Sequence, residues 1–412
     1  MNQDSLFKML GQWVARGRLR PLDQEFVRFL AQHSSDPDPL VLFSAALCSH
    51  QFGRGHPALE LNLVELSDSE QRERLSLPLD GPETPAEWCL QTWLAQLGHA
   101  QAWAQRLCDS PLVSGVPQEQ REVRPLVLEN GRLYLRRCWD QEHRVAEKIR
   151  AYLADTASFR MEPTRIEQVR AHLDVLFPAS SAQSSDEVDW QKVAAALAIQ
   201  QRLSIISGGP GTGKTTVVSK VLALLQKMAA ARGEAALLIR LAAPTGKAAA
   251  RLTESIASNI RTLPEGFSSA GIPKEVTTLH RLLGAQAHSR HFIHNANHPL
   301  PLDVLVIDEA SMIDLEMMSA ILDALPPHAR LILIGDKDQL SSVEAGAVLG
   351  HLCQGARNAY QPSCRDVLTA MTGYPQEKLA VATDSAAQIH EHIVILQKSH
   401  RFKAESLIGQ LA

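Results

Sequence analysis

The sequence predicts an α/β fold, in which a parallel sheet with helices on both faces follows a helical N-terminal domain. Downstream of about residue 189, short aliphatic runs alternate with helical segments, and such runs are typical of strands buried on both faces of a parallel sheet. The four runs are 203–206, 237–241, 304–307 and 331–334. A helix after Lys214 is predicted to carry one apolar stripe, formed by Val217, Val218, Val221, Leu222, Leu225 and Met228.

The composition allows packed cores and excludes several classes of protein. The chain has 412 residues, and at about 150 residues per domain this length suggests two to three domains. Hydrophobic residues make up 45% and charged residues 21%, so we do not expect a disordered chain. The formal net charge of −4 excludes a histone-like polycation, so any contact with nucleic acid must be a local groove.

Targeting signals and cysteine spacing predict a cytoplasmic protein with reduced thiols and no membrane association. No secretory signal follows Met1, and no run approaches the roughly 18 apolar residues of a membrane helix. The six cysteines form no C-x-x-C pair, so neither a zinc ribbon nor a dithiol redox site is indicated. The four cysteines that precede residue 189 leave an iron–sulfur site open as an alternative.

The first 110 residues show apolar spacing typical of helices, interrupted by polar breaks at 34–39 and 81–85. The tryptophans of this region (Trp88, Trp93 and Trp103) either fill the core of a small bundle or belong to a module that docks a partner. Further on, the Asn130-Gly131 turn predicts a β-hairpin over 125–139, and a helical stretch is expected over 142–154. The polar run 178–187 is the best candidate for a linker.

A glycine-rich segment predicts a phosphate-binding loop. Gly208-Gly-Pro-Gly-Thr-Gly-Lys-Thr215 satisfies G-x-x-x-x-G-K-[ST], a predicted strand precedes it and an amphipathic helix follows. Glycines let backbone N–H groups converge on phosphate oxygens, Lys214 supplies a charge to the β- and γ-phosphates, and the Thr215 hydroxyl is a ligand for Mg²⁺. The nucleotide-binding residues predicted here are Gly208, Gly209, Pro210, Gly211, Thr212, Gly213, Lys214, Thr215 and Thr216.

Polar residues follow two further buried strands. Asp308 and Glu309 follow the strand 304–307, where Asp308 would hold Mg²⁺ through water and Glu309 would act as the general base for the attacking water. Gln339 follows the strand 331–334 and could reach the γ-phosphate as a sensor. Taken alone, each of these groups could be an ordinary loop segment.

Together with four more motifs, these elements resemble superfamily 1 helicases that move 5′ to 3′, in particular motor subunits of RecBCD-type helicase–nucleases. The further motifs are Gln191 in WQKVA, APTGKAAARL at 243–252, TTLHRLL at 277–283 and LQKSHRF at 396–402. The resemblance implies a RecA-like ATPase domain that uses ATP and Mg²⁺. It also implies single-stranded DNA and duplex ends as ligands, and RecB- and RecC-like subunits as partners in double-strand break repair and recombination.

The resemblance further implies individual roles. Gln191 would recognise adenine, and Arg401 would act on the γ-phosphate as an arginine finger. Thr278 and His280 would line a groove for single-stranded DNA together with Pro244, Thr245, Gly246 and Lys247. The alternative interpretations are a surface glutamine for Gln191, a surface arginine for Arg401, an ordinary helix cap for residues 244–247 and a core histidine for His280. No lysine follows an Asp or Glu by two positions, so nuclease activity is expected of a partner.

The predicted domains are a helical N-terminal domain (1–115), a hairpin, helices and linker (116–188), the RecA-like domain (189–385) and the start of a second RecA-like lobe (386–412). Because the sequence stops at Ala412, we expect this second lobe to be mostly missing. Two other functions stay open. One is a different P-loop ATPase, such as a clamp-loader-like switch, and the other is a non-catalytic or ATP-binding-only subunit that docks through its N-terminal helices.

Overall fold

The structure is a computed structural model that describes residues 2–34, 38–78, 84–115, 123–154, 162–178, 187–267, 270–289, 291–339, 348–382 and 388–398. The chain divides into two compact units. The first comprises the described residues up to 144 together with 314–316, and the second comprises the other described residues.

The first unit combines helices with a small sheet. Its elements are α1 (Gln3–Ala15), α2 (Pro21–Gln32), α3 (Pro39–Gly53), β1 (Ala58–Glu60), α4 (Asp68–Leu75), α5 (Leu90–Leu97), α6 (Ala100–Cys108), β2 (Val113–Gly115), β3 (Leu126–Glu129), β4 (Arg132–Leu135) and the start of α7 (Arg136–Ala154). The sheet order is β1-β4-β3-β2. The helical stretch predicted over 142–154 is confirmed as part of α7.

The hairpin β3–β4 is confirmed, but it does not belong to a separate middle segment. Asn130 and Gly131 have φ angles of 48° and 72°, as a two-residue turn between twisted strands requires. The hairpin joins β1 and β2 in the sheet of the first unit, which therefore extends to residue 144 rather than 115 and is not purely helical. Strands β1 and β2 have three residues each, too few to show an alternating pattern in the sequence.

Tryptophans form much of the core of the first unit. Trp93 and Trp103 are fully buried, and the ring of Phe43 on α3 lies 5.3 Å from that of Trp93. The Trp103 indole donates a hydrogen bond of 2.8 Å to the Ser44 hydroxyl, which satisfies its buried polar atom. The core interpretation therefore holds for these two residues.

The second unit contains the α/β domain predicted from residue 189 onward, but it begins earlier, at residue 145, and so includes helices of the predicted segment 116–188. Its elements are the rest of α7, then α8 (Pro163–Leu176), α9 (Trp190–Gln200), β5 (Leu203–Gly208), α10 (Lys214–Ala231), β6 (Ile239–Ala243), α11 (Gly246–Arg261), β7 (Thr277–Thr278), α12 (Leu279–Leu283), β8 (Val304–Ile307), most of α13 (Leu315–Ala324), β9 (Arg330–Gly335), α14 (Val348–Leu352), β10 (Ala359–Tyr360), α15 (Pro362–Thr372), β11 (Ala380–Val381) and β12 (Ile393–Leu396).

Six parallel strands form the main sheet in the order β12-β5-β9-β8-β6-β7. Successive residues of β8 point to opposite faces, yet all four are buried, so both faces of this strand are covered. This confirms the predicted parallel sheet and its four central strands.

The predicted boundary at residue 386 is corrected by the edge strand β12. β12 pairs in parallel with β5, so residues 393–396 belong to the same sheet as the glycine-rich loop and not to a second lobe. Its sequence, Ile393-Val-Ile-Leu396, is as aliphatic as the four runs named above, but the boundary predicted at residue 386 puts it in the second lobe.

Helix α10 is buried on more than the predicted stripe. All six predicted stripe residues are buried, and so are Ser219, Ala223, Leu224, Gln226 and Ala229 on the remaining circumference. The helix packs between the sheet and neighbouring helices, including α9 and α11. Its fixed position places the N-terminus of α10, which follows the loop, at the carboxyl edge of the sheet.

Three sequence-based expectations concern features away from this edge. Most of the predicted linker, at 179–186, lies outside the described residues. No described helix combines the length and apolar character needed to cross a bilayer. All six cysteines are free thiols, and within the part of the chain that the structure describes no three His, Cys, Asp or Glu side chains form a group suited to a metal ion.

Candidate nucleotide-binding site

Five parallel strands bring the predicted motifs to one edge of the sheet. β5, β6, β8, β9 and β12 end at the same edge because Gly208 pairs with Leu396, Ser207 with Gly335, and Ala242 with Ile307. β9 lies between β5 and β8, so the glycine-rich loop and Asp308 leave the sheet two strands apart, about 10 Å at ordinary strand spacing. Ligands of open α/β sheets bind in such crevices at the carboxyl ends of the strands.

The loop after β5 has the backbone geometry of an anion cradle. Gly211 and Gly213 have φ angles of 80° and 81°, in the left-handed region that glycine occupies without strain. Gly213 precedes α10, whose first residues include Lys214, Thr215 and Thr216. The N–H groups of a first helical turn have no acceptor within the helix, and together with the helix dipole they favour a bound phosphate.

Lys214 and Thr212 hold the loop in shape. The Lys214 ammonium donates hydrogen bonds to the carbonyl oxygens of Gly208 and Gly209, the latter at 3.0 Å. The Thr212 hydroxyl donates to the Gly209 carbonyl at 2.9 Å. The positive charge of Lys214 is thus already inside the loop, where the sequence predicts it.

Asp308 and Glu309 follow β8 as predicted. Burial raises the pKa of the Asp308 carboxyl, and the Lys214 ammonium offsets part of this effect. The Asp308 carboxylate also accepts a 2.9 Å hydrogen bond from the backbone N–H of Glu309. Glu309 has a φ of 52°, an uncommon backbone conformation for a residue with a side chain, and such conformations cluster at functional sites.

The segment after β9 is tied to the end of β5. The backbone N–H of Lys337 donates to the Ser207 hydroxyl at 3.1 Å, and Ser207 is fully buried. The Asp336 carboxylate is buried and accepts from the N–H of Asp338 at 3.1 Å. Gln339 is exposed just beyond this turn, at the edge where the sequence places it.

Gln191 reaches the glycine-rich loop from α9. Its side-chain amide donates a hydrogen bond of 2.9 Å to the Thr212 carbonyl. Asp189 caps α9, accepting from the backbone N–H of Gln191 at 2.8 Å. A contact with the loop distinguishes Gln191 from an ordinary surface glutamine.

The predicted DNA-binding residues lie after β6 and at β7. Thr245 caps α11, accepting from the N–H of Ala248 at 3.2 Å, and Gly246 and Lys247 are exposed beside it, with Pro244 partly buried. β7 pairs with β6, with Thr278 opposite Ala243, so the two groups are neighbours on the sheet.

Thr278 and His280 begin α12. Thr278 caps this helix and is partly buried, whereas His280 is exposed, with its ring 5.9 Å from that of Phe292. The interpretation of His280 as a core histidine is therefore wrong. Arg401 lies outside the described residues, five positions beyond the end of β12.

Ser207 and Asp336 are polar groups at this edge that the sequence prediction missed. Each is a buried polar side chain at the end of a strand. For Asp336 a signal was available, because an acidic residue directly follows an aliphatic run and Gly335. Ser207 gave none, because a serine within a strand is unremarkable until its neighbour in the sheet is known.

The donor set fits Mg²⁺ and a nucleoside triphosphate. Mg²⁺ binds one or two protein oxygen ligands and completes its coordination with water and phosphate oxygens. Thr215 and Asp308 offer a hydroxyl and a carboxylate of that kind, and Lys214 and the first turn of α10 offer N–H donors to phosphate. Loop, helix and parallel sheet together define a P-loop nucleotide-binding domain.

Comparison with known proteins finds similarity to RecD subunits of RecBCD enzymes. A family model described as the N-terminal domain of RecBCD enzyme subunit RecD matches residues 15–134, and an AAA domain model matches residues 191–345. RecBCD enzyme subunit RecD of Haemophilus influenzae is 36% identical over 409 residues, which is 95% of this chain. The chain is therefore similar to a RecD subunit over almost its whole length, and its N-terminal part matches the model of the RecD N-terminal domain.

Two other relatives match shorter stretches. RecBCD enzyme subunit RecD of Mycolicibacterium smegmatis is 36% identical over 82% of this chain and 53% of its own length. The ATP-dependent RecD2 DNA helicase of Deinococcus radiodurans is 33% identical over 55% of this chain and 27% of its own length. The chain spans 59% of the length of the Haemophilus influenzae relative.

Proposed function

We propose that this chain forms the ATP-binding part of an ATP-dependent 5′–3′ DNA helicase subunit. In this proposal the subunit acts with RecB- and RecC-like partners, of which one supplies the nuclease, in double-strand break repair and recombination. The names of the relatives support the class of enzyme. The free thiols of its six cysteines are in keeping with work in the cytoplasm.

One observation carries the proposal: the segments predicted to bind phosphate, metal and DNA follow strands of one parallel sheet at the same edge, and Gln191 reaches this edge from α9. Lys214 and Asp308 interact electrostatically, and Gln191 contacts the loop that holds Lys214. If the glycine-rich segment were a turn that binds no ligand, the meeting of these segments at one edge would have no explanation.

The residues act on ATP in distinct ways. The first turn of α10 and Lys214 bind the phosphates, and Gln191 hydrogen-bonds adenine. Thr215 and Asp308 would hold Mg²⁺, which would supply Lewis-acid stabilisation of the charge on the phosphates. Glu309 accepts a proton from the attacking water, and Gln339 and Arg401 contact the γ-phosphate, which stabilises negative charge in the transition state.

Stepping along DNA is coupled to the same edge. Thr245, Gly246 and Lys247 bind backbone phosphates at the N-terminus of α11, and Thr278 and His280 extend this surface along β7. Because β6 and β8 are hydrogen-bonded neighbours, a rearrangement at Asp308 acts on the strand that precedes the DNA-binding residues.

We expect Lys214→Gln to reduce the affinity for ATP–Mg²⁺ by tenfold or more, because it removes the charge-assisted contacts to the β- and γ-phosphates. In a full-length version it should also abolish DNA-stimulated ATP hydrolysis. Equilibrium binding of a fluorescent ATP analogue measures the first effect.

The matched control is Lys227→Gln on the same helix, where the ammonium lies 4.1 Å from the centre of the Phe267 ring, well away from the loop. Retained ATP binding and hydrolysis in Lys214→Gln would refute the proposed nucleotide site. Binding and hydrolysis without stepping on a 5′-tailed duplex would favour a switch-like ATPase, and binding without turnover in the assembled complex would favour an ATP-binding-only subunit.

We expect Lys247→Ala to weaken binding of single-stranded DNA severalfold without sequence preference. Loss of one phosphate contact should lower the slope of log affinity against log salt by about 0.7. Titration of a labelled oligonucleotide at several salt concentrations measures both effects. Lys274→Ala, at an exposed position that precedes β7, is the control. An unchanged slope in Lys247→Ala would remove this lysine from the DNA surface.

A further inference from the structure

A network of polar contacts fixes the start of α9, the turn that carries Gln191. Tyr374 follows α15, and its hydroxyl accepts a hydrogen bond of 3.1 Å from the backbone N–H of Asp189. Asp189 in turn caps α9 through the N–H groups of Gln191 and Lys192. Tyr374 is therefore two hydrogen bonds from the backbone of Gln191.

Lys192, the next residue along α9, is an almost buried cation. Only 9% of its side chain is exposed, and its ammonium lies 2.6 Å from an Asp174 carboxylate oxygen and 2.7 Å from the Thr372 carbonyl oxygen. The same ammonium lies 5.5 Å from the centre of the Tyr374 ring. Withdrawing a lysine from water is costly, so a buried and fully engaged ammonium indicates a specific geometric role or a structural one.

The contacts of Gln191 distinguish between these two roles. The side chain of Lys192 binds α8 through Asp174 and the end of α15 through Thr372, while the side chain of Gln191, one residue earlier, binds the glycine-rich loop through the Thr212 carbonyl. Neighbouring residues on a helix point in directions about 100° apart, so anchoring one side chain fixes the orientation of the other.

We propose that Lys192 and Tyr374 are positioning residues that set the nucleobase selectivity of the site by fixing the amide of Gln191. This inference rests on the proposed function, in which Gln191 reads adenine. A glutamine amide can pair with N6 and N7 of adenine, whereas guanine presents an acceptor, O6, where adenine presents a donor. A site rejects the wrong base strongly only when its polar groups cannot reorient to suit it.

The test uses the full chain and three ligands: ATP, GTP and tripolyphosphate, which lacks the base. For Tyr374→Phe and Lys192→Met, we expect the ratio of ATP affinity to GTP affinity to fall by about tenfold, the effect of one well-placed hydrogen bond. Affinity for tripolyphosphate should stay the same, because neither residue contacts the loop. Gln191→Ala should lose the same selectivity, and adding Tyr374→Phe to it should have no further effect.

Tyr360→Phe is the matched control, because it removes a buried tyrosine hydroxyl from β10 that has no hydrogen-bond partner among the described residues. An unchanged ATP-to-GTP ratio in folded Tyr374→Phe and Lys192→Met would overturn the inference. An equal loss for all three ligands would also overturn it, because it would indicate a structural role alone. Failure of the unaltered chain to bind either ATP or tripolyphosphate would instead refute the proposed function.

Discussion

Asp308→Asn is expected to slow ATP hydrolysis by about three orders of magnitude, the effect of losing several kcal/mol of metal-mediated stabilisation. The same substitution should raise the thermal midpoint of the ligand-free chain at neutral pH. Burial raises the pKa of the Asp308 carboxyl, so its ionised form is less favourable in the folded than in the unfolded chain. Asparagine has nearly the same shape and carries no charge, so it avoids this cost.

The effect of Asp308→Asn on stability should depend on pH. A carboxyl with a raised folded-state pKa opposes folding fully above that pKa, and this penalty disappears as the pH falls through it towards the ordinary value for an aspartic acid. The stability advantage of Asp308→Asn should therefore be largest at neutral pH and shrink on acidification. Differential scanning measurements from pH 7 down to pH 4 measure this change.

Asp323→Asn serves as the control for Asp308→Asn. Asp323 is a carboxylate on α13 that lies 3.6 Å from the Lys148 ammonium. An ion pair of this kind contributes about 0–1 kcal/mol, so its loss should give no gain in stability and leave nucleotide binding unchanged. If Asp308→Asn hydrolysed ATP at the normal rate, the role of Asp308 in holding the metal would be wrong. If it destabilised the ligand-free chain at pH 7, the raised pKa of this carboxyl would be wrong.

Gly208→Ala is expected to reduce the free energy of unfolding by about 1–3 kcal/mol, the usual cost of overpacking. An added Cβ would lie 2.8 Å from the Thr212 hydroxyl oxygen and 2.9 Å from the Leu396 carbonyl oxygen. The carbonyl belongs to the backbone of β12 and cannot move away without disturbing its pairing with β5. Urea unfolding of the full chain measures the change.

The adjacent glycine provides a control of the same chemistry. A Cβ at Gly209 would have no heavy atom within 4 Å, so Gly209→Ala should leave stability unchanged or raise it slightly. Equal unfolding midpoints for the two variants would show that the close approach of β12 to β5 is not as the structure describes.

The sequence predicted the elements of the second unit that have long, uninterrupted patterns. The aliphatic runs of β5, β8 and β9 and the G-x-x-x-x-G-K-[ST] loop are local signals, so they needed no knowledge of neighbours in space. The pairing of β12 with β5 joins residues far apart in the chain, and no local pattern encodes such a partner. The same holds for Ser207, whose contact with Lys337 follows only from the strand order.

The first unit was predicted less well, for a different reason. Strands β1 and β2 are too short for an alternating pattern, and they acquire their structure from pairing with the hairpin rather than from their own sequence. The helices α1 and α2 carry regular apolar spacing and were predictable as elements. The C-terminal boundary of this unit depends on the contacts of the hairpin with β1 and β2, and these contacts cannot be read from the linear sequence.

The bonds that Lys214 makes within its own loop have a consequence for the choice of anion. The Lys214 ammonium already donates hydrogen bonds to two carbonyl oxygens, so an incoming anion must replace these hydrogen bonds rather than bind an unpaired charge. A triphosphate can compensate for the lost hydrogen bonds because it contacts the helix N–H groups and the metal at the same time. A single small anion makes fewer such contacts. Inorganic phosphate would therefore compete only weakly with a nucleoside triphosphate for this loop.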